Sequence, residues 1–401
     1  MSPLDRTRLQ EALALAESSF GLTEPNPRVG CIIGRPDGTV LGRGATQEAG
    51  GPHAEVMALR DAQAGGHDVR GASAWVTLEP CAHHGRTPPC CDALVAACLA
   101  RVVVAVGDPH PQVAGEGMAR LRAAGVKVVL AADAGSPDLA AAACEVNIGF
   151  FSRHIRGRPW VRMKTAASLD GRTALPNGAS QWITGAEART DGHTWRRRAS
   201  AVLTGIGTVL ADDPRLDVRL VPSAGQPLRV VIDSHLRLPE TARMLAPPGR
   251  VLACCIGADP VRAAALAARG VEILPCPGPS GQVDLTTLLV ELARQGINEL
   301  HVEAGAVLSG ALWRAGLVDE LLAYLAPMLL GTGPGIANIG PLGRLDQATR
   351  LEFLACNSLW RRFTPTRAGT GIRSSQMATP PRLCRTLSDG HSLRWRTSTT
   401  P

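Results

Sequence analysis

The sequence predicts an α/β protein built from two domains of that class. Helix-period and strand-like segments alternate over about residues 1–150, and a second alternation starts near residue 160. The 401 residues suffice for two ordinary domains, and 45% hydrophobic with 19% charged residues is typical of a folded globular protein. A run rich in glycine, proline and arginine at 147–160 separates the two alternations. We therefore expect domains at 1–150 and 151–363, followed by a tail at 364–401.

In the first domain, an amphipathic helix opens the chain and carries Leu9, Leu13 and Phe20 on one side. A hairpin follows, with strands at 29–33 and 40–44 and a turn at Asp37-Gly38. Further strands are expected at 74–78, 102–106 and 126–130, with helices that begin near His53 and Cys90 or lie near Met118. This order predicts a sheet layered with helices.

The second domain repeats this alternation without repeating the sequence. Its strands are expected near Val161, Val202, Val230, Val251, Ile273 and Leu300, and its helices near Ala186, Val261, Leu285 and Leu308. An apolar segment at 321–330 ends it. After Cys356 the sequence turns to Ser, Thr, Pro, Gly and Arg, so we expect 364–401 to be a disordered basic tail that contributes little to catalysis.

The net charge of +7 resides in the last part of the chain, because residues 357–401 contain eight arginines and one aspartate. Residues 1–356 hold 34 basic and 34 acidic side chains, so this part lacks the excess charge typical of nucleic-acid-binding proteins. No 18-residue apolar span appears, and the first twenty residues include five charged ones, Asp5, Arg6, Arg8, Glu11 and Glu17, which the apolar core of a secretion signal would not contain. We expect a cytoplasmic protein that binds neither nucleic acid nor membrane.

A set of metal-binding residue types lies in the first domain. His53-Ala54-Glu55 opens a predicted helix, Pro80-Cys81 follows a predicted strand, and Cys90 opens the next helix. An H-x-E followed by P-C and a second cysteine is typical of zinc deaminases, although here eight residues separate the cysteines. One imidazole and two thiolates supply three zinc ligands and leave a position for water, and Glu55 is close enough to transfer protons.

The alternative is that His53 is a surface histidine and that the cysteines are small core residues. For single residues this interpretation would be preferred, but it does not account for the joint pattern after strand and helix signals. Cys91 adjoins Cys90 and is the obvious competing ligand. We predict that His53, Cys81 and Cys90 bind zinc.

Longer motifs resemble one family in both halves of the chain. In the first half they are 25–30 (PNPRVG), 50–56 (GPHAEV after Gly50), 77–90 (TLEPCAHHGRTPPC) and 113–117 (VAGEG). In the second half they are 164–173 (KTAASLDGRT), 180–184 (SQWIT), 205–214 (GIGTVLADDP), 231–234 (VIDS) and 301–305 (HVEAG). They are similar to the bifunctional pyrimidine deaminase/reductase family of riboflavin biosynthesis over about residues 1–355.

The resemblance implies a cytidine-deaminase-like α/β/α domain followed by a dihydrofolate-reductase-like α/β domain. The first would remove the 2-amino group of 2,5-diamino-6-ribosylamino-4(3H)-pyrimidinone 5′-phosphate with zinc. The second would reduce the ribosyl chain with NADPH, giving 5-amino-6-ribitylamino-uracil 5′-phosphate. A small phosphorylated pyrimidine is thus the implied partner, and a homo-oligomer stays open.

Site roles also follow from the resemblance. It implies that Glu55 is the catalytic proton carrier and that Asn26 contacts the deaminase substrate. The positions implied to contact NADPH are Ala166, Trp182, Thr208, Asp212, Ser234, Gly305, Ala306, Val307, Leu308, Ser309, Gly310 and Ala311. Those implied to contact the reductase substrate are Ser180, Arg196, Leu216, Arg219 and Glu303.

The residues themselves support part of this assignment. Gly305 follows a predicted strand and begins a helix, whose N-terminus suits a phosphate, while Arg196 and Arg219 carry forked donors for one. In an arginine-rich chain both arginines are also compatible with ordinary surface positions, and Trp182 is equally compatible with the core.

Three departures from the family pattern affect these expectations. Thr46 stands where the family usually has a histidine, which removes an imidazole from the rim of the deaminase site. Ala306 replaces a usual proline, and the end of the chain lacks an evident final strand. Two further functions stay open: a zinc deaminase of nucleic-acid bases, and a nucleotide-binding regulator that has lost turnover.

Overall fold

The structure, a computed structural model, describes residues 1–83, 88–110, 113–356 and 393–397. The chain forms two compact units: Met1–Val161 with Trp195–Val302, and Arg162–Thr194 with Glu303–Pro401. These units divide the chain differently from the sequence-based domains, because the second alternation contributes to both. Within the described ranges no helix combines the length and the apolar character needed to cross a membrane.

The first compact unit contains a five-stranded sheet. Its strands are β1 (Gly30–Gly34), β2 (Val40–Ala45), β3 (Ser73–Leu78), β4 (Arg101–Val106) and β5 (Lys127–Leu130). They lie in the order β2-β1-β3-β4-β5; β1 is antiparallel to both neighbours, and β3, β4 and β5 are parallel. The hairpin and all three further strands are as predicted.

Helices cover both faces of this sheet. They are α1 (Pro3–Ser18), α2 (Ala54–Ala64), α3 (Cys90–Ala96), α4 (Glu116–Ala123), α5 (Pro137–Val146) and α6 (Ile148–Arg156). Leu9 and Leu13 of α1 pack with Trp75 and with residues of α5 in one apolar cluster. Residues of α2, α3 and α4 form a second apolar cluster with strand residues such as Ile33 and Val76. Alternating strand residues therefore fill two core layers, as an α/β/α sandwich requires.

Two local expectations for this region are wrong. Helix α1 ends at Ser18, so Phe20 lies in the following turn, although it still packs against the same apolar cluster. The run at 147–160 contains helix α6, whose Phe150 belongs to the core. Gly149 permits this packing, because a Cβ there would lie 2.5 Å from the carbonyl oxygen of Asn298. Helix α5 had no sequence prediction.

Strand β6 (Trp160–Ser168) and helix α7 (Ala186–Arg198) each span both compact units. The first unit also contains a parallel sheet of β7 (Ala201–Gly205), β8 (Leu228–Ile232), β9 (Val251–Cys255), β10 (Val271–Pro275) and β11 (Glu299–Val302). Their order is β10-β9-β8-β7-β11. The accompanying helices are α8 (Ile206–Asp212), α9 (Pro260–Ala268) and α10 (Leu285–Arg294), of which α8 was not predicted.

The second compact unit contains the remaining elements: α11 (Ala306–Arg314), β12 (Glu320–Ala326), β13 (Leu351–Cys356) and β14 (Leu393–Thr397). Strand β12 is parallel to β6, and β14 is antiparallel to both β12 and β13. The fully buried Arg162 and Glu320 form an ion pair at 3.0 Å. The α/β class and the predicted strands and helices of the second half are confirmed.

The disorder expected over 364–401 fails at five residues. Leu393–Thr397 forms β14, and its Arg394 donates a 2.6 Å hydrogen bond to the buried Glu320. Strand β14 gains backbone hydrogen bonds from the strands on both of its sides, and Arg394 gains a buried counter-ion. Neither contact can be inferred from the composition of the segment. The rest of the expected tail lies outside the described residues.

Candidate active site with a metal-binding cluster

A cavity of about 380 Å³ opens in the first compact unit, where several elements of the five-stranded sheet end. Leu78 is the last residue of β3, and Glu79 and Cys81 follow it; Asp108 and His110 follow β4, and His53 and Glu55 come from the start of α2. Loops that leave neighbouring strand ends meet at one edge of the sheet, which explains how distant residues come together.

His53, Cys81 and Cys90 form a compact cluster of donor atoms at this cavity. The Nδ1 atom of His53 lies 3.1 Å from Sγ of Cys90 and 3.6 Å from Sγ of Cys81. Ideal Zn–N and Zn–S distances place such donors about 3.5 Å apart in a tetrahedron. The set therefore fits zinc in both donor type and spacing, and the structure brings together the three residues that the sequence singled out.

Local structure fixes these ligands. His53 is the N-cap of α2 and Cys90 the first residue of α3, so both are at helix N-termini. The backbone N–H of Cys90 donates to Sγ of Cys81 at 3.3 Å. Hydrogen bonds from Cys90 and His53 hold the pKa of Cys81 well below its usual range against the effect of burial, which favours the thiolate form of this sulfur. Cys91, the competing candidate, is fully buried in the core.

Glu55 is the buried carboxyl of the site. It projects from α2 two residues after His53 and lines the cavity. Burial, followed by the Cys81 charge, raises the pKa of Glu55 to about 7. A carboxyl with this pKa exchanges a proton readily near neutral pH.

The cavity lining also includes part of the 25–30 motif. Pro25, Asn26 and Pro27 line the cavity, as does Thr46, the residue that replaces the usual histidine. Thr46 is buried, and its Oγ1 accepts a 3.1 Å hydrogen bond from the backbone N–H of Val29. The hydroxyl therefore anchors the motif to β2.

Glu79 of the 77–90 motif and Gly117 of the 113–117 motif have structural contacts that account for their presence in these motifs. The Glu79 carboxylate accepts hydrogen bonds from the backbone N–H groups of Asp108, Gly115 and Met118 at 3.0–3.2 Å. A Cβ at Gly117 would lie 1.8 Å from the carbonyl oxygen of Pro80. Both residues hold α4 against the segment that carries Cys81, so their role is structural.

Sequence reasoning missed one wall of the cavity. His83, His110, His154 and Phe150 form a row of rings, with centroids 4.5–6.1 Å apart, and Arg153 lies beside them. Burial, then the charge of Arg153, lowers the pKa of His154 to about 4, so this ring is neutral at pH 7. Helix α6 supplies three of these residues. They were missed because the run at 147–160 was interpreted as a domain boundary.

Candidate reductase residues of the first compact unit are Thr208, Asp212, Ser234, Arg196, Leu216 and Arg219. Thr208 and Asp212 lie on α8, and Ser234 follows β8. Arg196 donates to the backbone oxygen of Asp217 and Arg219 to its carboxylate, so this buried aspartate orders both arginines. The Leu216 side chain belongs to the core, which leaves its backbone for any ligand contact.

The other candidates belong to the second compact unit. Ala166 lies on β6, and Glu303 is 3.8 Å from the Lys164 ammonium. Ser180 and Trp182 precede α7; the Trp182 ring is exposed and stacked by Arg189, so it is not a core residue. Gly305 is the N-cap of α11, which comprises Ala306, Val307, Leu308, Ser309, Gly310 and Ala311 in its first two turns.

The start of α11 fits a phosphate-bearing cofactor. The first backbone N–H groups of a helix lack intrahelical partners, and Gly305 places no side chain over them. Gly310 is instead a packing residue, because a Cβ there would lie 2.0 Å from the carbonyl oxygen of Asn338.

Two family models match the chain. Residues 3–106 match the cytidine and deoxycytidylate deaminase zinc-binding region, and residues 159–361 match the RibD C-terminal domain. The first match contains the His53, Cys81 and Cys90 cluster. The second covers half of the chain.

Whole proteins match as well. The riboflavin biosynthesis protein RibD of Escherichia coli K12 is 44% identical over 87% of this chain and 95% of its own length, and that of Aquifex aeolicus is 38% identical over 84% and 91%. The structure of Acinetobacter baumannii RibD superposes with a TM-score of 0.81 at 39% identity, covering 99% of both chains. The resemblance based on motifs is thus confirmed. The chain belongs to the RibD family of bifunctional riboflavin biosynthesis proteins, which join a zinc-dependent deaminase to an NADPH-dependent reductase.

Proposed function

We propose that the first half hydrolyses the 2-amino group of 2,5-diamino-6-ribosylamino-4(3H)-pyrimidinone 5′-phosphate. The second half then reduces the ribosyl chain to give 5-amino-6-ribitylamino-uracil 5′-phosphate. The observation that carries this proposal is the His53, Cys81 and Cys90 cluster beside the buried Glu55 in a cavity, within a chain of RibD type. We also propose the functional division at 1–150 and 151–363.

In the deaminase, His53, Cys81 and Cys90 would hold zinc, which when bound would supply the Lewis acidity that makes water nucleophilic near neutral pH. Glu55 moves the proton from that water to the departing amino group, for which its buried carboxyl is suited by position. Asn26, which lines the same cavity, orients the pyrimidine ring by hydrogen bonds. In the overall deamination, one water replaces the 2-amino group, so that a ring carbonyl forms and ammonia is released.

In the reductase, the N-terminus of α11 would bind a phosphate of NADPH through the first backbone N–H groups after Gly305, and the rest of the Gly305 to Ala311 segment would support this contact. Ala166, Trp182, Thr208, Asp212 and Ser234 complete the cofactor contacts. Ser180, Arg196, Leu216, Arg219 and Glu303 hold the phosphorylated substrate, for which the forked donors of the two arginines are suited. Bound NADPH would supply the hydride for this reduction, and solvent would supply the proton, leaving NADP⁺ as the second product.

Incubation of the purified protein with the diaminopyrimidinone phosphate tests this function. We expect ammonia release without NADPH, and NADPH oxidation only after deamination or with the deaminated intermediate supplied. Ammonia release from cytosine or adenine in single-stranded nucleic acid would instead indicate a base deaminase. Tight ligand binding without turnover would indicate a regulator. We also propose a cytoplasmic location, because a reducing compartment keeps the sulfur atoms of Cys81 and Cys90 available for metal binding.

A further inference from the structure

One wall of the deaminase cavity depends on residues from the second half of the sequence, within the same compact unit. Asn298 directly precedes β11 and Glu299 is its first residue, and both are far along the chain from the residues that line the cavity. Their side chains nevertheless contact the segment 24–28, which contains Pro25 and Asn26 of the cavity wall. The deaminase site therefore includes a support that its own domain does not supply.

Asn298 makes hydrogen bonds to both parts of this wall. Its Nδ2 donates to Oε2 of Glu24 at 2.7 Å and to the carbonyl oxygen of Pro25 at 3.1 Å. Its Oδ1 accepts from Nε of Arg153 at 2.7 Å, and Nη2 of Arg153 donates to the same Pro25 carbonyl at 3.2 Å. One buried amide thus fixes the backbone beside Asn26 and the cation on α6.

Glu299 fixes the other end of the segment. Its Oε1 accepts from Nη1 of Arg28 at 2.6 Å, and Arg28 also donates to Oε1 of Glu24 at 2.6 Å. Arg28 and Glu299 are buried, so the pair is shielded from water and salt. This contact with Glu299 gives a structural reason for Arg28 in the 25–30 motif.

Close backbone packing leaves little freedom in this arrangement. Gly149, one turn before Arg153 on α6, approaches the Asn298 carbonyl too closely for a side chain. Gly296 has a φ of +87°, and a Cβ there would lie 2.9 Å from Cβ of Pro25. The support is therefore preorganised on rigid elements rather than on a long side chain.

We propose that Asn298 is a positioning residue of the deaminase, which orients Arg153 and the Pro25-Asn26 backbone toward the cavity. Asn298 does not reach the reacting atoms, and it acts through the residues that it holds. Its amide, with a donor toward Glu24 and Pro25 and an acceptor toward Arg153, matches these partners in both directions. The proposal rests on the deaminase function proposed above.

The test compares Asn298→Ala and the isosteric Asn298→Asp with wild type and with Gln295→Ala. Gln295 is an amide three residues earlier that contacts Arg250 and Glu291, outside this support. We expect both Asn298 variants to raise the KM of deamination about 10-fold with kcat changed less than about two-fold, and to leave NADPH-dependent reduction unchanged. Arg153→Ala should raise KM similarly, and the double variant with Asn298→Ala should be no worse than Arg153→Ala.

Hydrogen exchange supplies a readout that does not require turnover. Amides in residues 23–30 should exchange about five-fold faster in Asn298→Ala than in Gln295→Ala. Unchanged KM and unchanged exchange would overturn the proposal, as would equal loss of both activities and of thermal stability, which indicates a merely structural role. If wild type releases no ammonia, the proposed function fails, and exchange alone then decides the role of Asn298.

Discussion

Two buried carboxylates lie beside the cavity, and their contacts give them different roles. Glu79 accepts three backbone hydrogen bonds, so it is committed to holding the loop before α4. Glu55 instead lies beside the thiolate of Cys81, which disfavours its ionised form. Both glutamates lie within sequence motifs, but only their hydrogen bonds distinguish Glu79, which holds the loop, from Glu55, which is free to carry a proton.

The metal cluster leads to a prediction at Cys81. Cys81→Ala removes one of three protein ligands, so we expect zinc content to fall from about one ion per chain to well below half. The adjacent Cys91→Ala is the control, because Cys91 is buried in the core and belongs to no donor cluster within the described residues. Elemental analysis of freshly purified protein measures both, and full zinc in Cys81→Ala would contradict the assigned ligand set.

Glu55 provides a second prediction at this scale. Glu55→Gln keeps the size of the side chain but cannot carry a proton, so we expect ammonia release to fall by about 10³-fold. Zinc content should stay near wild type, because Glu55 is not in the donor cluster. NADPH oxidation with the deaminated intermediate should also persist. Loss of both activities in a folded, zinc-loaded variant would mean that the two reactions are not independent.

Helix α1 illustrates how the elements are fixed to one another. Asp5 forms a capping box with Ser2, and its carboxylate also accepts from Trp75 at 2.8 Å and from Arg101 at 2.6 Å. Burial opposes ionisation, but the hydrogen bonds of Arg101, Trp75 and Ser2 outweigh it and hold the pKa of Asp5 well below its usual range. The helix start is thereby connected to β3 and β4.

Asp5→Ala should therefore destabilise the protein by about 3 kcal/mol, since it removes the Asp5 half of the capping box and leaves the buried Trp75 N–H without its acceptor. Asp138→Ala is the control: its pair with Arg6 is exposed, so we expect a change below about 1 kcal/mol. Urea unfolding measures both free energies. Equal effects would show that the buried contacts of Asp5 contribute no more than a surface pair.

Elements with a strong hydrophobic periodicity could be predicted from the sequence, whereas elements that depend on contacts with distant residues could not. Strands such as β3 and β8 are apolar and β-branched, and the cysteine and histidine spacing identified the zinc ligands. Helix α6 was missed because Gly149, which breaks the sequence pattern, is required by contact with Asn298. Strand β14 was missed because its arginines are typical of an exposed segment, whereas Arg394 meets a buried carboxylate from β12. The cavity wall from α6 and the support from β11 depend on such distant contacts.

At the scale of the whole molecule, the last described residues complete the sheet of the second compact unit. Strand β14 pairs with β12 on one side and β13 on the other, so it is an interior strand. Glu320 on β12 lies between Arg162 and Arg394, and removal of β14 would expose a strand edge and leave Glu320 with one fewer counter-ion. A segment with this role is structural rather than a dispensable appendage.

Arg394→Leu tests this role without truncation. Burial would raise the pKa of Glu320, but Arg162 and Arg394 outweigh burial and lower it to about 2. An unfolded glutamate has a pKa of about 4.3, so the ionised Glu320 stabilises the fold above that pH, and this stability is lost as the pH falls toward 2. The variant should be less stable than wild type by about 2 kcal/mol at pH 7. Because the substitution raises the folded-state pKa, the difference should shrink as the pH falls below about 4.

Urea unfolding between pH 3 and pH 7.5 measures this difference, and Arg344→Leu is the matched control because the pair of Arg344 with Asp346 is exposed. We expect the control to stay within about 0.5 kcal/mol of wild type at every pH. A variant as stable as wild type at pH 7 would mean that β14 adds nothing to the sheet. A loss of stability that does not depend on pH would mean that β14 acts through its backbone ladder and not through Glu320.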